Sequence, residues 1–169
     1  RLLQKSGCEV SVAMTKHATE FVQPLTFRAL TDKHVIVDDY DPANPDPIAH
    51  INFSQNIDLL LVVPATANII AKFAYGLADD FLSSTYLAST APVMIAPAMN
   101  TTMWENASVK RNVKRLRADG VDAHFTMGGH YPSLCPDEVL ELVPELDSVA
   151  LYEGEYTLVQ AACNEYTDA

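Results

Sequence analysis

The chain has 169 residues, of which 49% are hydrophobic and 20% are charged, and its formal net charge at pH 7 is -11. This composition is typical of a soluble globular protein, and the length fits one domain over residues 1–169. The acidic balance argues against nucleic acid or an anionic membrane surface as a partner, because both bind clusters of lysine and arginine.

Two further properties narrow the class of protein. The longest apolar run, residues 57–67, is interrupted by polar residues and is too short to cross a bilayer. The three cysteines show no spacing typical of a metal site, and no histidine pair does either. We therefore expect a cytoplasmic protein with reduced cysteines, no membrane segment and no bound metal.

The hydrophobic pattern predicts helices and strands that alternate along the chain. In chain order they are a helix at 1–5, a strand at 9–14, a helix at 19–31, a strand at 35–37, an aspartate- and proline-rich loop at 38–47, a strand at 57–63, helices at 67–75 and 79–89, a strand at 93–96, a helix at 107–119 ended by Gly120, a strand at 123–127, a helix at 136–142, a strand at 148–152 and a helix at 156–166. This alternation predicts an α/β fold, a three-layer sandwich with a mostly parallel, flavodoxin- or Rossmann-like sheet.

Ligands of such sheets bind outside the carboxyl ends of the strands. This rule selects three loops here, at residues 14–16, 64–68 and 97–104. A helix at the first residues indicates that the strand before it is missing or that another segment takes its position. One hypothesis gives that position to the strand at 148–152.

The loop Pro-Ala-Thr-Ala-Asn at 64–68 lies between a buried strand and a helix. Its small side chains leave backbone N–H groups accessible, Thr66 adds a hydroxyl, and a helix N-terminus attracts anions. A phosphate site is one interpretation of this pattern. An ordinary helix-capping loop is the other.

The loop Pro-Ala-Met-Asn-Thr-Thr-Met-Trp at 97–104 contains the only tryptophan of the chain. The carboxamide of Asn100 can donate to a carboxylate and accept from an N–H group at the same time. Trp104 is expected either to close a pocket or to belong to the core, and Met99 and Met103 to pack. His50, at the start of a predicted helix, can exchange protons near neutral pH, although a lone histidine is more often a capping or solvated residue.

Residues 1–121 resemble the flavin-dependent cysteine decarboxylases, and most closely the phosphopantothenoylcysteine decarboxylases of coenzyme A synthesis. Several motifs occur in the order and at the spacing of that family. They are Met-Thr at 14–15, Phe-Val-Gln-Pro-Leu-Thr-Phe at 21–27, Ala-His-Ile at 49–51, Pro-Ala-Thr-Ala-Asn-Ile-Ile-Ala-Lys at 64–72, Gly-Leu-Ala-Asp-Asp at 76–80 and Ala-Pro-Ala-Met-Asn-Thr-Thr-Met-Trp at 96–104.

The resemblance implies FMN as the cofactor, bound between the subunits of a homotrimer or a higher homo-oligomer, and a small cysteine-containing substrate. It implies that His50 is the base that assists oxidation of the thiol and that Asn100 contacts the substrate carboxylate. Cys135 is the cysteine nearest to the position of the family's catalytic cysteine, although its following residue is a proline and the spacing differs. The FMN contacts that the resemblance implies are Thr15, Phe27, Thr66, Ala67, Asn68, Ala96, Pro97 and Met99.

The tail, residues 122–169, departs from the family pattern. It resembles the end of the cobalamin-binding domain that precedes radical SAM enzymes, which predicts a chimera of two α/β halves. The cysteine cluster of radical SAM enzymes and a complete cobalamin-ligand motif are both absent from the sequence.

The predicted function is FMN-dependent oxidative decarboxylation, with 4'-phosphopantothenoylcysteine converted to 4'-phosphopantetheine. Two alternatives stay open. The first is a non-catalytic scaffold that binds flavin or cobalamin. The second is a peptidyl-cysteine decarboxylase of the lantibiotic type.

Overall fold

The computed structural model describes residues 1–38, 46, 48–119, 123–128, 133–151 and 155–166. They form two compact units, one from Arg1–Ile57 and Gly76–Thr90, the other from Asp58–Tyr75 and Ala91–Ala169. A single domain over the whole chain stays a prediction. Within the described ranges, no helix has the length and apolar character that a membrane span requires. Most of the loop predicted at 38–47, and the helix end predicted at Gly120, lie outside the described residues.

From residue 49 onward the described elements follow the predicted alternation. In chain order they are α1 (Leu2–Lys5), a 3-10 turn (Ala18–Glu20), α2 (Pro24–Thr31), α3 (Ala49–Gln55), β1 (Leu60–Ala65), α4 (Ala67–Tyr75), α5 (Phe81–Ala88), β2 (Val93–Pro97), α6 (Thr101–Glu105), α7 (Ala107–Ala118), β3 (Ala123–Gly128), α8 (Pro136–Leu142), β4 (Ser148–Ala150) and α9 (Glu155–Tyr166).

The sheet of the second unit is parallel throughout, with the strand order β1-β2-β3-β4. Met94 and Ile95, adjacent on β2, are both 0% exposed. Because successive side chains of a strand point to opposite faces, this sheet is covered on both faces at β2. The predicted α/β fold with a parallel, Rossmann-like sheet is confirmed.

The tail contributes β3 and β4 to this same sheet. Asp147 Oδ2 accepts from the backbone N–H of Phe125 at 2.8 Å and from the Arg117 guanidinium at 2.7 Å, which ties α7 to both strands. β4 pairs with β3, at the edge of the sheet opposite β1. The hypothesis that the strand at 148–152 takes the position of a first strand is therefore wrong.

The first unit packs α3 against α5. The rings of Phe53 and Phe81 meet edge to face at a centroid distance of 5.6 Å, a favourable aromatic geometry. Asp80 caps α5, since its side chain accepts from the N–H of Ser83 at 2.8 Å while the Ser83 hydroxyl accepts from the N–H of Asp80. This reciprocal capping box fixes where α5 begins.

Three elements predicted in the first unit differ from the structure. The strands expected at 9–14 and 35–37 reduce to one parallel bridge, between Ala13 and Ile36, with two backbone hydrogen bonds. These bonds are too few to extend a ladder, and Glu9 and Ser11 leave the first segment apolar on one face only. The helix expected at 19–31 begins only at Pro24, because a residue that precedes proline is disfavoured in helical conformation, and Gln23 is extended.

Candidate functional site

Two of the predicted ligand loops meet at the carboxyl edge of the sheet. β1 ends at Ala65 and β2 ends at Pro97, and these two residues are register partners. The backbone N–H of Ala98 donates to the Ala65 carbonyl at 2.9 Å, which joins the loops directly after the strands. The structure therefore brings together two groups of predicted site residues. These are Thr66, Ala67 and Asn68 on one loop, and Ala96, Pro97, Met99 and Asn100 on the other.

Thr66 opens α4. Its hydroxyl oxygen accepts a long hydrogen bond, 3.4 Å, from the N–H of Ile69, and its carbonyl accepts from the N–H of Ile70 at 3.1 Å. Thr66 and Asn68 are exposed, whereas Ala65 below them is completely buried. The loop thus exposes the polar side chains of Thr66 and Asn68 directly after a buried strand end. They lie at a helix N-terminus, where the macrodipole favours negative charge.

An apolar surface adjoins this loop. Val63 is 53% exposed although it lies on a strand, and Pro64 beside it is also exposed. A flat heteroaromatic group with polar edges matches such a combination of apolar surface and small polar loop. These residues therefore fit the FMN that the motifs imply.

Asn100 is the N-cap of α6 and is exposed. Its side-chain Oδ1 accepts from the N–H of Met103 at 2.8 Å, and its backbone carbonyl accepts from the N–H of Trp104 at 3.0 Å. Among the described residues, none accepts from the Nδ2 group. The cap therefore fixes the carboxamide while its two N–H donors remain available to an anionic ligand.

Thr15, Phe27 and His50 belong to the first unit. The Thr15 hydroxyl accepts from the N–H of Ala18 at 3.2 Å and opens the 3-10 turn, and Phe27 is half-buried on α2. The neighbour of Thr15, Lys16, is paired with Asp38 at 2.7 Å, and this hydrogen bond raises the pKa of the Lys16 ammonium. The ammonium group of Lys16 is thus already paired with the Asp38 carboxylate.

His50 is the second residue of α3 and is half-buried. The helix is held by its buried residues Ala49 and Ser54 and by the ring contact of Phe53. These residues hold the backbone that carries the imidazole.

Cys135 precedes α8 in the second unit and is half-buried. Its carbonyl accepts from the N–H of Val139 at 3.1 Å. It follows β3, the strand next to β2, so it belongs to the neighbouring connection of the same sheet. Part of that connection, residues 129–132, lies outside the described residues.

Sequence reasoning missed one feature of the Asn100 loop, which is how the loop is held in place. Asn106 ends α6 and caps α7, accepting from the N–H of Ser108 at 2.9 Å. Glu105 forms an ion pair with Lys110 at 2.9 Å, and this hydrogen bond raises the pKa of Lys110. The second asparagine, six positions after Asn100, was the available sequence signal.

Comparison with known proteins gives matches along most of the chain. A protein named coenzyme A biosynthesis bifunctional protein CoaBC, from Bacillus subtilis (strain 168), is 50% identical over 118 residues, which are 70% of this chain and 29% of that protein. This chain thus spans about three tenths of the length of that relative. Among solved structures, the FMN-dependent cysteine decarboxylase SpaF is 38% identical with a TM-score of 0.66, covering 73% of this chain and 71% of that one. A PPC decarboxylase mutant complexed with pantothenoylaminoethenethiol is 30% identical with a TM-score of 0.60, covering 73% of this chain and 69% of that one.

The model of the Flavoprotein family matches residues 1–150. The match continues well past residue 121, through β3, α8 and β4, where the sequence pattern predicted a change of family. The comparisons thus do not support a chimera with a cobalamin-binding tail. With nine tenths of its length matched, the chain belongs to the Flavoprotein family.

Proposed function

We propose that the protein is an FMN-dependent decarboxylase of a cysteine-containing substrate, and that its substrate is 4'-phosphopantothenoylcysteine. The observation that carries the proposal is the geometry of Asn100, whose capped carboxamide keeps both N–H donors available beside the loop at 64–68. The relatives support the reaction class, since one is named for coenzyme A biosynthesis and the others for cysteine or PPC decarboxylation.

Each residue has a separate role in this proposal. When bound, FMN supplies a two-electron acceptor for oxidation of the cysteine thiol. His50 takes the thiol proton, and Asn100 holds the carboxylate by charge-assisted hydrogen bonds. Carbon dioxide then leaves, because the oxidised thiocarbonyl carbon withdraws the electron pair of the breaking bond. Thr66 and the N–H groups of the loop at 64–68 contact the cofactor, with Thr15 and Phe27 as further contacts.

The test is release of carbon dioxide by the purified protein supplied with FMN. We expect turnover of 4'-phosphopantothenoylcysteine and little turnover of peptides that end in cysteine. The opposite preference would favour the peptidyl-cysteine alternative. Flavin binding without carbon dioxide release from either substrate would indicate the non-catalytic scaffold.

Cys135 is proposed as the proton donor for the final reduction of the decarboxylated product, for which bound FMN would return the two electrons accepted in the first oxidation. Replacing Cys135 by serine should leave carbon dioxide release intact in a single turnover but stop the reaction at the enethiol, because serine is a much weaker acid. Mass spectrometry of the products distinguishes the enethiol from the thiol by two hydrogens. Cys163→Ser, on α9, is the matched control and should yield the reduced thiol. Reduced thiol from Cys135→Ser would exclude this role.

A homotrimer or higher homo-oligomer is also part of the proposal. The first unit exposes apolar side chains around the start of α2, with Phe21 88% and Leu25 71% exposed. Exposed apolar surface of this kind marks interfaces. Replacing Leu25 by glutamate should lower the mass measured by light scattering to that of a smaller species, whereas Leu142→Glu, at an exposed leucine of α8, should not. An unchanged mass for Leu25→Glu would place the interface elsewhere.

We also propose a cytoplasmic location. The cysteines Cys8, Cys135 and Cys163 form no disulfide, as expected in a reducing compartment.

A further inference from the structure

α6 is a single helical turn with one buried side chain. It has five residues, and Trp104 is 4% exposed while the other four residues are exposed. Isolated helices of this length do not form in water, so the turn depends on tertiary contacts. Trp104 is therefore the side chain that packs this turn, with the Asn100 cap at its start, into the core.

The second contact of α6 is weaker. The Glu105–Lys110 pair joins α6 to α7, but the two side chains are 53% and 30% exposed. Ion pairs at this exposure contribute little to stability, whereas a buried indole removes a large apolar area from water. The buried indole is therefore the main side-chain anchor of α6, and the exposed ion pair adds little.

The indole acts by packing and not by hydrogen bonding. Its Nε1 atom is buried and has no hydrogen-bond partner in the described part of the chain. An aromatic ring without a donor should accordingly serve the same purpose, and phenylalanine is the conservative replacement.

We propose that Trp104 is a positioning residue that holds the carboxamide of Asn100 against the substrate carboxylate. The chain of contacts is short. The N–H of Trp104 donates to the Asn100 carbonyl at 3.0 Å, and the N–H of Met103 donates to Asn100 Oδ1 at 2.8 Å, so a shift of the Trp104 backbone moves both ends of Asn100. This inference rests on the proposed function, in which Asn100 contacts that carboxylate.

The test compares two unreactive ligands that differ only in the carboxylate. One is the serine analogue of 4'-phosphopantothenoylcysteine, and the other is the same compound without its carboxylate. In the protein loaded with FMN, Trp104→Leu should weaken the first ligand by about tenfold or more, as expected for the loss of a hydrogen bond to a charged group. It should change the second ligand less than about twofold and leave FMN binding unchanged.

Two matched variants complete the experiment. Trp104→Phe should restore binding of the carboxylate ligand to near the wild-type value, and Glu105→Gln should change neither ligand. If Trp104→Leu does not fold, Trp104→Met serves in the same comparison. Equal weakening of both ligands would show a merely structural role and overturn the inference.

A separate measurement distinguishes this inference from the proposed function. If the wild type binds neither ligand, the proposed function fails. Hydrogen exchange of the Met103 amide then tests the positioning role alone. Exchange should be faster in Trp104→Leu than in the wild type and unchanged in Glu105→Gln, and equal protection in all three would overturn the inference.

Discussion

Replacing Asn100 by aspartate is expected to lower kcat/KM for the carboxylate substrate by at least about 100-fold without unfolding the protein. Aspartate caps helices as well as asparagine does, so the bond from the Met103 N–H to the side-chain oxygen is kept. The two N–H donors are lost, which costs about 1.5 to 3 kcal/mol for a hydrogen bond to a charged group. A second carboxylate beside that of the substrate adds repulsion.

The matched control is Asn100→Ser. Serine also caps α6 but adds no charge. The kcat/KM of Asn100→Ser should therefore be lower than that of the wild type by about tenfold or more, but higher than that of the aspartate variant. Thermal unfolding and FMN binding should match the wild type in both variants. If Asn100→Asp keeps kcat/KM within about threefold of wild type, the carboxylate contact lies elsewhere.

The sheet could be predicted because its pattern is local. The strand at 93–96 and the helices at 67–75 and 136–142 are found within one residue of their predicted bounds. Each is an apolar or amphipathic run followed by a clear change of composition. The strand predicted at 9–14 was wrong for the opposite reason, because a strand depends on backbone partners that a local pattern does not contain. The predicted helix start at residue 19 was wrong because the restriction that Pro24 places on Gln23 outweighs the helical pattern before it.

The site was predictable only in part. The rule for parallel sheets located the loops after β1 and β2, and the Ala98–Ala65 hydrogen bond shows that they meet. The orientation of the Asn100 carboxamide was not predictable, because it depends on a cap and on the burial of Trp104, which are properties of the packed chain. The sequence predicted a change of family after residue 121 because few motif positions follow that residue. The match to the Flavoprotein family model nevertheless continues to residue 150.

Replacing His50 by asparagine is expected to lower kcat/KM for carbon dioxide release by about 100- to 10,000-fold, the usual contribution of a positioned general base. Asparagine is similar in size and polar, and α3 is held by Ala49, Ser54 and Phe53, so the variant should fold and bind FMN as the wild type does. His17→Asn, at an exposed histidine of the same unit, should keep full activity.

The pH profile separates a base from a structural residue. With His50 as the base, the shape of the pH profile of kcat/KM should differ between the wild type and His50→Asn. A structural role would lower the whole profile without changing its shape. A profile of unchanged shape in the variant, or retention of more than half the activity, would mean that another group removes the thiol proton. Asn100 would then be the residue for which the proposed chemistry has a geometric basis.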